Sequence, residues 1–140
     1  MKMKEREVSE HFSKLSELMN MRLPSKLSFA ISCNTEKLQG EVRRIEKERV
    51  KLCEQCADKD DEGKPIMVKS IINGKEVQQY KISDDNRKLF EEEYNAILDT
   101  EIDIQIRTVK PDVIDQCEMA ERYDILTVAQ LLALSFMIVE

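Results

Sequence analysis

At 140 residues the chain is long enough for one domain and short for two. Charged residues make up 36% of it, as expected of long helices that expose most of their circumference, while three Gly, three Pro and no Trp argue against a loop-rich or all-β fold. The net charge of −6 counts against duplex nucleic acid as a partner, because neutralised phosphates supply most non-specific affinity.

Residues 5–21 predict a first helix, with Val8, Phe12, Leu15, Leu18 and Met19 at three- and four-residue steps. Arg22, Leu23 and Pro24 break it and turn the chain into a long helix over 24–58. Pro24 sits where a missing N–H costs nothing. Ile31, Leu38, Ile45 and Leu52 then recur every seven residues, flanked by Leu27, Val42 and Cys56. So narrow a stripe has the coiled-coil character that packs against one or two other helices. On the other face Lys37, Arg43, Arg44, Lys47, Arg49 and Lys51 alternate with Glu36, Glu41, Glu46, Glu48 and Glu54, a solvated surface laced with ion pairs.

ADKDDEGKP stops the long helix. Asn73-Gly74 follows between two β-branched runs, the strongest short hairpin signal, and places a hairpin over 66–82. Ser83, with Asp84 and Asp85 behind it, caps a helix over 84–98 that carries Leu89, Phe90, Tyr94, Ile97 and Leu98. This helix should run antiparallel to the long one and cover its second half, with the hairpin at the far end of the arm. Over 101–108, Ile102, Ile104 and Ile106 alternate with Glu101, Asp103 and Gln105 in a strand with one buried face. The hairpin is its natural neighbour. A helix of roughly 22 Å lies between them, however, so the edge of a partner chain is the alternative.

After Pro111 the segment is a loop or a short helical turn. Thr127 caps a last helix over 127–138, whose Val128, Leu131, Leu132, Leu134, Phe136 and Ile138 leave little polar face. A helix so apolar is buried in its own domain or against another subunit. Leu131, Leu134, Phe136 and Ile138 are the expected interaction surface. The fold expected is α+β in a single domain: a long antiparallel helical arm with a β-hairpin at its tip, a short strand and an apolar C-terminal helix.

Chemistry is sparse. Cys53 and Cys56 have the spacing of half a zinc site, and the other ligands on offer are Cys33, Cys117 and the lone His11. A redox pair belongs at a helix N-terminus, whereas this one ends a helix among carboxylates. Small side chains at the edge of a core are the better reading, and His11 reads as a surface residue. Glu91, Glu92 and Glu93 beside Asp84 and Asp85, like Glu101 and Asp103, fit solvent-facing alternation better than a metal pair. No phosphate loop, Gly-x-Ser-x-Gly or His-Glu-x-x-His occurs. Hence no catalytic residue, cofactor or metal is expected, and the protein is expected not to be an enzyme. With no run near the ~20 apolar residues that span a bilayer and no signal-like apolar core after MKMKEREVSEHF, a cytoplasmic protein is expected.

Three stretches resemble a family of small phage and prophage proteins of unknown function. They are the Leu-Pro lead-in LPSKLSFAISCNTEKL, the charged continuation EVRRIEKERVKLCEQCADKDDEGKP, and LDTEIDIQIRTV followed by LTVAQLLALSFMI. Cys53 and Cys56 depart from the Leu, Tyr or Lys expected there. The resemblance implies a phage or prophage origin in a bacterial host and carries no activity. The expectation is therefore a non-enzymatic interaction or assembly protein, oligomeric through its C-terminal helix, partnered by itself or by a phage or host protein. The alternative is an anti-defence protein that blocks a host immune effector such as a nuclease.

Overall fold

The computed structural model describes residues 1–140 and has an α+β fold. Its elements in order are β1 (Lys2–Lys4), α1 (Glu5–Ser16), α2 (Ser25–Cys56), β2 (Met67–Ile72), β3 (Lys75–Tyr80), α3 (Asp84–Leu98), β4 (Glu101–Asp103), α4 (Pro111–Met119) and α5 (Val128–Leu134), closed by a 3-10 turn, Ser135–Met137. Where one domain is expected, the chain divides into two compact units: Met1–Arg43 with Glu101–Glu140, and Arg44–Thr100. α2 contributes to both.

The first unit holds most of the core. Val8 and Leu15 of α1, Leu27, Ile31 and Leu38 of α2, and Leu134 and Met137 near the C-terminus are fully buried. α1 ends at Ser16, earlier than its apolar period suggests. Residues 17–21 close instead as tight turns, with Leu18 and Met21 donating three residues back. The following link is anchored elsewhere: the Arg22 N–H and guanidinium both donate to the Asp124 carboxylate, at 2.7 and 3.1 Å.

β4 does not pair with the hairpin. It pairs antiparallel with β1, Met3 opposite Ile102. Because β1 has only three residues, the regular strand stops at Asp103. Residues 104–109 remain extended with Ile104 and Val109 buried, but they find other partners. The side chain of Asn34, on α2, accepts from the Arg107 N–H (2.7 Å) and donates to the Arg107 carbonyl (2.9 Å). Val109 pairs with the chain around Ile138.

In the second unit, Asn73 and Gly74 both have positive φ, 52° and 76°, the turn that fits a two-residue hairpin. β2 and β3 run antiparallel with Ile72 opposite Lys75. α3 covers the expected span, with Ser83 at its N-cap, but the Ser83 side chain makes no capping bond. Asp58, just past the end of α2, ties down the start of the helix in a different way. Its carboxylate accepts from the Ser83 N–H (3.2 Å) and the Asn86 amide (3.0 Å), bonds that hold its carboxyl below the usual range. The start of α3 is thus fastened to the end of α2, and Tyr94, further along, lies near Arg49, so the two helices run antiparallel.

Gly40 is an exposed interior position of α2 at which an added Cβ meets nothing within 4 Å. Gly40→Ala is therefore expected to stabilise the protein by about 1 kcal/mol, seen as a higher urea midpoint.

Candidate interaction surface

α5 begins at a capping box. The Thr127 hydroxyl accepts from the Gln130 N–H (3.2 Å), and the Gln130 side chain accepts from the Thr127 N–H (2.9 Å). This pins the helix start and so decides which way its apolar side chains turn. Ala133 and Leu134 go into the core, and Leu131 packs against it. The 3-10 turn after Leu134 then winds more tightly than an α-helix. It carries Met137 inward and brings Phe136 and Ile138 against the same core. The four residues expected to form an interaction surface, Leu131, Leu134, Phe136 and Ile138, are therefore taken up by the chain itself.

What remains outside is a different stripe. Ile125, Val128 and Leu132 are 70%, 74% and 68% exposed. Val128 and Leu132, four residues apart, lie on one side of α5, and Ile125 precedes the helix, two residues before its N-cap Thr127. The helix sequence, VAQLLAL, contains no charged residue, so the stripe is not broken by solvated groups. Large aliphatic side chains gathered this way on a surface mark a protein contact more often than chance exposure does.

No family model, curated protein or solved structure matches the chain. The likeness to a phage family accordingly rests on the three quoted stretches and nothing further.

The other candidate residues have structural surroundings. Cys56 and Cys117 are buried, which pushes both thiols up, and Cys33 and Cys53 are half-buried. The Arg49 guanidinium donates to the Cys53 sulfur at 3.7 Å and to Glu46 at 2.9 Å. The Asp103 carboxylate accepts from the Met1 amine at 2.9 Å. Nowhere do three or more His, Cys, Asp or Glu side chains come together as a metal cluster. No helix is long and apolar enough to cross a membrane.

His11 is not a surface residue. It is half-buried, its ring stacked on Phe136 with centroids 3.9 Å apart and planes 18° from parallel. Burial lowers its pKa from the ordinary 6.5; Lys14 adds to this, while Glu7 and Glu10 pull the other way. With the folded value depressed, the unfolded chain takes up the proton first, so the His11 contribution is full above 6.5 and is lost as pH falls through the folded value. Thermal stability is expected to decline as pH falls below about 6.5, and His11→Phe should flatten that decline.

Sequence reasoning missed Asn34, which is fully buried. The signal was present: a polar residue between Ile31 and Leu38 on the apolar stripe has to be satisfied by something.

Proposed function

We propose that this chain is a non-enzymatic interaction protein that acts by association with other copies of itself, and that the outer face of α5 is where the copies meet. The observation that carries the reading is the uncharged stripe of Ile125, Val128 and Leu132. Two such faces brought together about a two-fold axis meet no like charges on α5, and each would remove aliphatic surface from water. The surroundings of the titratable groups fit the same picture. The shifted carboxylates Glu46, Asp58, Asp103 and Asp124 each serve a structural bond, to Arg49, Ser83, the chain's amine and Arg22 respectively. The resemblance supplies the setting, a phage-derived protein in the cytoplasm of a bacterial host. Leu132→Lys tests the reading: sedimentation should show a smaller species than the parent at equal concentration, with an unchanged far-ultraviolet circular dichroism spectrum. An unchanged sedimentation profile would remove its main support.

A second reading, a phage protein that blocks a host immune effector such as a nuclease, draws on α3, where Asp84, Asp85, Glu91, Glu92 and Glu93 are all exposed. Replacing the three glutamates with glutamine should then abolish any protection of phage growth while leaving association through α5 intact.

A further inference from the structure

The second unit carries an unfinished sheet. β2 and β3 pair only with each other, and an isolated two-stranded hairpin is marginal in water. Little else in the unit is buried: among its apolar side chains only Ile45, Cys56 and Ala57 are, while Ile71 is 78% exposed. The two-residue turn makes Ile72–Lys75, Ser70–Val77 and Val68–Gln79 the pairs that exchange backbone hydrogen bonds. Consequently the N–H and C=O groups of Glu76, Gln78 and Tyr80 point away from β2, and no backbone group elsewhere takes them up. Residues 77–80 all line a groove of about 570 Å³ whose other walls are Arg49, Val50 and Cys53 of α2 and Arg87 and Phe90 of α3, so the β3 edge is unpaired but faces a groove between helices.

An open edge invites another strand. The two edges differ in what they would do to a second copy of this chain. On β2 the outward positions are Met67, Lys69 and Ile71, and antiparallel pairing centred there sets Lys69 against Lys69. On β3, pairing about a two-fold axis at Val77 sets Val77 against Val77, Glu76 against Gln78 and Lys75 against Gln79. No like charges face each other in that register, and the sheet grows to four strands.

We propose that the second unit docks a second copy of this chain by antiparallel β3–β3 pairing about Val77. This interface is separate from the α5 face and goes beyond the function proposed above.

Gln78→Glu isolates it. Within one copy residue 78 lies opposite Lys69, so the new carboxylate suits the hairpin. Across the two-fold axis it meets Glu76 of the second copy twice, which should raise the dimer dissociation constant about tenfold or more. Gln78→Pro should do the same, since it removes an N–H that faces away from β2. Sedimentation in a Leu132→Lys background is the test. That background should still form a dimer, adding Gln78→Glu should give monomer with unchanged circular dichroism, and adding Glu76→Gln as well should restore the dimer. A Leu132→Lys protein that is monomeric at every concentration, or one whose association ignores Gln78→Glu, overturns the proposal. If instead Gln78→Glu dissociates the parent protein and Leu132→Lys does nothing, β3 pairing stands and the α5 reading falls.

Discussion

Leu134→Ala is expected to lower the unfolding free energy by about 2–5 kcal/mol, while Leu132→Lys, two positions away, leaves it within about 0.5 kcal/mol of the parent in dilute solution. Leu134 is fully buried against the core of the first unit, so truncation loses its transfer free energy and leaves a cavity that neighbours fill only in part. Leu132 is largely exposed, and Lys forms helix nearly as well as Leu, so neither burial nor propensity opposes the change. Urea denaturation of the two variants at low concentration reads the contrast directly. Equal destabilisation by both would mean that α5 is buried all round and has no free face.

Asn34→Ala should cost about 2–4 kcal/mol. Between Ile104, which still bonds Met1, and Val109, which pairs with the chain around Ile138, a strand neighbour is missing because β1 is only three residues long. The Asn34 amide stands in for it by bonding both backbone groups of Arg107. Removing the amide leaves an N–H and a carbonyl, both partly buried, with nothing to replace them. Lys37, which donates to the Gln105 carbonyl at 2.8 Å, is too exposed to compensate. Asn34→Asp should fail as well, since it keeps an acceptor for the Arg107 N–H but loses the donor and buries a charge. The measurement is the urea midpoint at constant m-value. A loss below about 1 kcal/mol would show that the segment is held by Ile104 and Val109 alone.

Much of the architecture was legible in the sequence because it is set by local patterns. The seven-residue recurrence from Ile31 to Leu52 marks α2, Asn73-Gly74 marks the hairpin, and Ser83 with its two aspartates marks the start of α3. What was not legible depends on meetings between distant residues. Nothing local in Lys2–Lys4 announces a strand; it becomes one because Glu101–Asp103 arrives beside it. Asp58 anchors Ser83, the N-cap residue of a helix, from twenty-five residues earlier. The C-terminal segment is apolar on almost every side, so periodicity could not say which side the core would take. That choice depends on the capping box at Thr127 and the 3-10 turn after Leu134, and it moved the candidate surface from Leu131, Leu134, Phe136 and Ile138 to Ile125, Val128 and Leu132.

The most direct test of association through α5 is methyl NMR of the protein across a dilution series. The Ile125, Val128 and Leu132 methyl signals should shift together with concentration, those of Val128 and Leu132 should stop shifting in the Ile125→Lys variant, and the Leu134 methyls should stay fixed throughout. Signals of those three residues that hold still from dilute to concentrated solution would contradict it.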